Sequence, residues 1–198
     1  MLLEQQREAN KMYEDNEIAA KAALWYRYLG YSVVPVMADG SKRSLHNWSN
    51  WTFNLASIED IKGWYHGPIQ LGVAIVTGEI SGNLEVIDID SRKAKLQFLT
   101  RISEELSDKL VLVDTPSGGM HVYYRCSVRA GKREKIADNI DLVGPNSYVI
   151  APGSPATCSH ESKWWIKASE RGFEDLKNIT VLERIELLDA AMNLATVQ

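Results

Sequence analysis

Two aspartates one residue apart, Asp88 and Asp90, close the run Leu84-Glu85-Val86-Ile87-Asp88-Ile89-Asp90. The run is apolar, holds β-branched residues and follows Ser81-Gly82-Asn83, which predicts a strand. Side chains alternate along a strand, so Leu84, Val86, Asp88 and Asp90 share one face. Two carboxylates then stand roughly 6.6 Å apart at the strand end, from a rise of about 3.3 Å per residue. Aspartate is depleted in strands, and a buried carboxylate needs a partner. A divalent cation would supply it, and a pair of metals about 3.5–4 Å apart, as in polymerases and nucleases, would suit this separation. The blander reading has Asp88 ending the strand, with Asp90 or Ser91 capping a helix from Arg92.

The second grouping is Thr115-Pro116-Ser117-Gly118-Gly119-Met120-His121. Adjacent glycines let successive N–H groups turn toward one point, an anion-binding nest. Thr115 and Ser117 add hydroxyls. His121 opens a strand on which Tyr123 and Arg125 share its face, and it could hold a phosphate oxygen. A tight turn followed by a satisfied histidine fits the same residues. The third grouping is Ile140-Asp141-Leu142. Alone, Asp141 is one more strand-end aspartate. Beside Asp88 and Asp90 it completes a set of oxygen ligands suited to Mg2+ or Mn2+. Asp114 is a rival third acid.

These residues need elements to position them. Glu4 to Tyr28 reads as helix, with a break near Asp15-Asn16 and Gly30 as its C-cap. Tyr31 to Val36 is a strand whose Pro35 suggests an edge. Asp39 to Arg43 is a turn carrying Lys42 and Arg43, either solvated or in contact with phosphate. Ser57 caps a short helix with Asp60 in the capping-box position. Leu71 to Gly78 is a buried strand. Leu96, Leu99, Ile102 and Leu106 fall at helical spacing and predict an apolar stripe. Strands follow at Leu110–Val113, Met120–Arg125, Ile140–Val143, Tyr148–Ala151 and around Trp164-Trp165-Ile166. A basic loop, Arg129 to Lys135, lies between two of them. Val181 to Ala195 is a helix that packs on the domain or begins a linker.

The chain has 198 residues, 45% hydrophobic and 24% charged, within the range of soluble globular proteins. No apolar run reaches the ~20 residues of a membrane helix, and the N-terminus is too polar for a signal peptide. We therefore expect a cytoplasmic protein with no membrane partner. Two cysteines, Cys126 and Cys158, are too few for a disulfide framework. Cys158 and His160 lack a second pair for a zinc site. A net charge of −4 argues against a wholly basic nucleic-acid coat protein and leaves room for a local basic cleft.

The order Val86-Ile87-Asp88-Ile89-Asp90, Ser117-Gly118-Gly119-Met120-His121 and Ile140-Asp141-Leu142 resembles the archaeo-eukaryotic primase superfamily. More fully, it resembles the bifunctional primase–polymerase (prim-pol) N-terminal domain of plasmids, phages and integrated elements. Leu29 to Val36, Lys42, Trp48, Trp64-Tyr65, Gly72 to Gly78 and Tyr148 to Pro152 extend the likeness over residues 18 to 167. Two departures stand out. Ser44 takes a position often held by proline after the lysine turn, and the cysteines of a zinc-binding stem are lacking.

The resemblance implies an α+β fold, with an RRM-like catalytic subdomain and an N-terminal α/β subdomain around a central cleft. It suggests a helical extension at 1–17, a catalytic domain at 18–180 and a C-terminal helix or linker at 181–198. It implies template-directed nucleotidyl transfer in a phage, plasmid or mobile-element replication protein. Asp88, Asp90 and Asp141 would be catalytic and hold Mg2+ or Mn2+. Ser117, Gly118, Gly119 and His121 would bind nucleotide, with Arg125 and Lys42 as further phosphate contacts. Arg129, Lys132, Arg133 and Lys135 would bind DNA. The implied partners are single-stranded DNA template and primer, NTP or dNTP, and a fused or associated helicase. Family members commonly continue into a helical domain and helicase, which do not fit this length, so a fragment or stand-alone domain is expected. Two other readings remain: a non-catalytic single-stranded DNA-binding module of a replication initiator, and a metal-dependent nuclease.

Overall fold

Asp15 and Asn16 do not break the first helix. A single helix, α1 (Leu2–Tyr28), runs through them, and both are buried. The Asn16 amide donates to the Ile69 carbonyl at 2.8 Å, and its oxygen accepts from the Leu71 N–H at 2.9 Å. Gln70 donates to Asp15 at 2.6 Å. The polar pair thus satisfies the backbone ahead of strand β2 (Leu71–Val76), so it is a docking device within the helix. Gly30, at φ +86°, ends α1 in the left-handed conformation that glycine tolerates. The computed structural model describes residues 2–128, 131–160, 165–167, 169 and 171–195.

The architecture is mixed α+β, with two largely antiparallel sheets. In the smaller sheet, β2 lies between β1 (Val33–Met37) and β8 (Tyr148–Ile150). Pro35 therefore sits on an edge strand, where its missing N–H costs little. In the larger sheet, β3 (Leu84–Ile89) is central. The order is β6 (Glu134–Ala137), β7 (Ile140–Val143), β3, β5 (Met120–Cys126), β4 (Val111–Asp114) and β9 (Ile166–Lys167). Strand β10 (Asn178–Ile179) runs parallel to the far end of β5.

Alternation along β3 divides the interior. Leu84 and Val86 enter a core shared with the smaller sheet and α1. Ile87 and Ile89 enter a second core with Phe98, Leu106, Val122 and Leu142. Each such aliphatic side chain, fully buried, contributes about 1.5–3 kcal/mol. The helix α2 (Ile58–Tyr65) carries the expected capping box between Ser57 and Asp60.

The stretch after β3 departs from the predicted single stripe. It forms two helices, α3 (Arg92–Leu99) and α4 (Glu104–Ser107). Ser103 accepts from the Leu106 N–H and starts the second, which resets the helical phase. Phe98 is buried while Leu96 is 57% exposed. The last helix, α5 (Val181–Met192), packs on the domain through Leu187, Ala190 and Ala191. Arg184 also donates to Glu85 on β3 at 2.7 Å.

Candidate active site

Register, more than sequence spacing, assembles the site. Asp88 lies directly opposite Asp141 on β7 and opposite His121 on β5. The row continues to Lys135 on β6 and Val113 on β4. Directly opposite residues project to the same face, and like charges there repel. An internal cation answers that repulsion. Arg133 donates through Nη2 to Asp88 Oδ2 at 2.7 Å and through Nε to Asp141 Oδ2 at 2.9 Å.

Asp88 is buried, and on its other side Oδ1 lies 3.3 Å from His121 Nε2. That oxygen makes no well-formed hydrogen bond among the described residues. His121 Nδ1 is 3.2 Å from the Tyr123 hydroxyl, which reaches the Ile150 carbonyl at 3.4 Å. Burial works to raise the Asp88 pKa. The His121 imidazole, then Arg133 and Lys42, outweigh burial and hold it down at about 2. Asp90, just past the end of β3, is exposed by area. Crowding by the cleft wall and the Asp88 carboxylate push its pKa up.

Asp88, Asp90 and His121 line a cleft of about 340 Å³, with Arg133, Ser117, Lys42, Trp48, Tyr148 and Trp165 among the other walls. Lys42 adopts φ +59°. The Tyr148 hydroxyl pins its turn, donating to the Lys42 carbonyl and accepting from the Ser44 N–H, both at 3.1 Å. Trp48 packs edge-on to Tyr148, with ring centres 5.0 Å apart.

A family model described as bifunctional DNA primase/polymerase, N-terminal (Prim-Pol), matches residues 23–179. The chain belongs to the Prim-Pol family. No curated protein matches it. The family is one of nucleotidyltransferase-type DNA primases and polymerases, whose substrates are DNA and nucleotides. Among the described residues, no helix of this Prim-Pol chain is long and apolar enough to cross a membrane.

Not every residue singled out in the sequence reaches the Prim-Pol cleft. Arg125 stands four residues along β5 from His121, about 13 Å away at strand rise. Its guanidinium lies over the Tyr31 ring, 4.7 Å from the centroid, so the structure does not bring it to the nucleotide position expected for it. Arg129 lies outside the described residues. Lys132 is exposed, and Lys135 pairs with Asp138 at 3.0 Å. Arg133, expected on DNA, instead bridges two carboxylates. Asp114 pairs with Lys95. Its register partner is Met120, itself opposite Ile89, so Asp114 belongs to the face opposite Asp88 and is no third acid.

The glycine loop also differs from a free nest. The Gly118 N–H donates to the Thr115 carbonyl at 2.9 Å, closing a turn. Gly118 has φ +88°, whereas Gly119 is required by proximity: a Cβ there would fall 1.9 Å from the Ile89 carbonyl oxygen. Ser117 is exposed, with its hydroxyl 3.0 Å from that of Thr115.

Two features escaped sequence reasoning. Tyr148 was legible only as part of a strand. Arg133 had a usable signal: Asp138-Asn139 reads as a hairpin turn, and folding the chain there brings Lys135 and Arg133 back beside Asp141. Among the described residues, no three carboxylate, imidazole or thiol groups gather closely enough to hold a cation. Arg133 stands between two of the expected ligands.

Proposed function

We propose that this Prim-Pol domain carries out template-directed nucleotidyl transfer, primer synthesis or extension, in a replication protein of a phage, plasmid or mobile element. The observation that carries the reading is the Asp141–Asp88–His121 row across three strands, of which Asp88 and His121, with Asp90, line one cleft. Pure DNA binding has no use for two carboxylates lining a cleft meant for a polyanion, with a third directly beside one of them. The order β7-β3-β5-β4, with α3 and α4 between β3 and β4, supports an RRM-like catalytic half. The smaller sheet with α1 and α2 would form the other half.

The donor set fits divalent cations. Asp88 Oδ1 is buried without a well-formed hydrogen bond, and the carboxylates are hard oxygen donors suited to Mg2+ or Mn2+. Asp88, Asp90 and Asp141 would hold the cations. Bound there, divalent metals would activate the primer 3′-hydroxyl and neutralise the departing pyrophosphate. The remaining work falls to the chain itself. Lys42 and the Ser117 hydroxyl would contact the triphosphate. His121, fixed between Tyr123 and Asp88, would orient the Asp88 carboxylate and offer its edge to a phosphate oxygen. The aromatic wall of Trp48 and Tyr148 would exclude water beside the nucleotide.

The test is metal-dependent incorporation of labelled nucleotide into a primer–template, beside degradation of the same DNA. Incorporation that Asp88→Asn abolishes supports the reading. Degradation without incorporation would make the protein a nuclease. DNA binding with neither activity would make it a binding module.

A further inference from the structure

Arg133 bonds to the two carboxylates that a metal would need. We propose that Arg133 is a built-in counter-cation that holds Asp88 and Asp141 together in the metal-free protein and trades them for substrate phosphate when divalent cations enter. The inference rests on the assignment of these carboxylates as metal ligands.

The geometry supports a removable plug. Two neighbouring aspartates face each other across β3 and β7, and a cation between them relieves the repulsion. The guanidinium fork spans both, one nitrogen to each residue. It satisfies Oδ2 of each and leaves Asp88 Oδ1 buried without a well-formed hydrogen bond. The arginine thus neutralises the site only in part.

Its anchorage allows it to leave. Arg133 immediately precedes β6, the outermost strand of its sheet, and its side chain is 43% exposed. Withdrawing it unmakes neither core, because it belongs to neither. It lines the same cleft as Lys42 and Ser117, so a phosphate bound there lies within reach of its new orientation. A guanidinium pairs with phosphate as readily as with carboxylate, through the same planar fork.

The exchange couples two ligands. A divalent cation arriving alone must expel the guanidinium and leave it with water. A cation arriving with a triphosphate brings the guanidinium another anion, so no ion pair is lost. Metal and nucleotide therefore favour each other's binding, and by linkage the factor is the same in both directions. Free cations would be held weakly, and the site would load fully only with substrate.

Calorimetric titration with Mn2+, alone and then with a non-hydrolysable triphosphate, tests the exchange on wild type, Arg133→Gln and Lys135→Gln. Arg133→Gln should bind Mn2+ alone about tenfold more tightly, since the competing closed form is gone. Its affinity for the triphosphate at saturating Mn2+ should fall about tenfold, the loss of a charged hydrogen bond. Lys135→Gln removes the same charge two residues further along the same edge segment, where it pairs with Asp138, and should change Mn2+ affinity by no more than about twofold, as screened exposed charges do. Should Arg133→Gln fail to fold, Arg133→Lys keeps the charge without the fork and should show both effects more weakly. Unchanged Mn2+ affinity in the Arg133 variant overturns the proposal while leaving the carboxylates as ligands. Equal gains in the Arg133 and Lys135 variants also overturn it, since general charge then explains both. Absence of Mn2+ binding in every protein, with or without triphosphate, would remove the metal assignment itself, and the proposal with it.

Discussion

At the residue scale, Asp88 and Asp90 are neighbours with opposite electrostatics. The Asp88 carboxyl titrates at about 2 in the fold, against an ordinary 3.8. A depressed pKa contributes stability above the ordinary value that is lost as pH falls through the folded one. At 1.36 kcal/mol per unit this is about 2 kcal/mol, present at neutral pH and fading from about pH 4 toward 2. Asp88→Asn should therefore lower the metal-free melting temperature at pH 7 by about 4–8 °C. Asp90 is pushed the other way, so its charged form opposes folding. Asp90→Asn should raise the melting temperature at neutral pH, with the gain shrinking as pH falls through that raised pKa and gone below the ordinary 3.8. Calorimetry in EDTA from pH 2 to 8 reads both, and shifts of the same sign in the two variants would contradict this account. Strand alternation was enough to put Asp88 and Asp90 on one face, whereas His121 and Asp141 were tied to them only through the motif order of the resemblance. It was silent on burial, which depends on Asp88 lying inside the sheet and Asp90 just beyond its end. For Arg133 the sequence offered only the Asp138-Asn139 turn, since its place depends on the register of that hairpin.

At the element scale, two adjacent glycines do different jobs. Gly118 needs its positive φ to close the turn after β4. Gly118→Ala should cost about 1–2 kcal/mol, the ordinary penalty for an L-residue in a left-handed conformation. Gly119 needs the absence of a side chain, because the Ile89 carbonyl occupies the place of its Cβ. Relief would require β3 and β5 to part next to the row of Asp88 and His121, so Gly119→Ala should cost on the order of 4 kcal/mol. Urea unfolding midpoints should rank the two in that order, and the reverse ranking would show that the loop yields more easily than the strands. Other elements show where pattern reading stops. The capping boxes at Ser57 and Thr180 are local, and the first was legible from four residues. Asp15-Asn16 looked like a helix break because polar residues in a helix usually face water. Their partners, Ile69 to Leu71, are more than fifty residues away. Of the Leu96 stripe, Leu99, Ile102 and Leu106 pack on the second core, whereas Leu96 faces out because α3 buries Phe98 instead.

At the scale of the whole molecule, a protein of net charge −4 would have to bind DNA through local charge alone. Three of the basic residues before and within β6 are described, and they are not equivalent. Lys132 and Lys135 are exposed, and the Lys135–Asp138 pair is a surface contact of the kind worth little in water. Arg133 is bonded to Asp88 and Asp141. Counterion release counts only cations that neutralise phosphates, at about 0.7 in slope per contact on single-stranded DNA. Replacing Lys132 and Lys135 together by glutamine should therefore flatten the plot of log affinity against log salt by about 1.4. In EDTA, Arg133→Gln should leave that slope unchanged, because its guanidinium already has anionic partners inside the protein. Fluorescence anisotropy of a labelled oligonucleotide over a salt series measures all three proteins alike. An unaltered slope in the double lysine variant would make the basic segment ordinary solvated surface. A flatter slope for Arg133→Gln in EDTA would mean that the guanidinium reaches DNA without metal, which a plug held by two carboxylates does not allow.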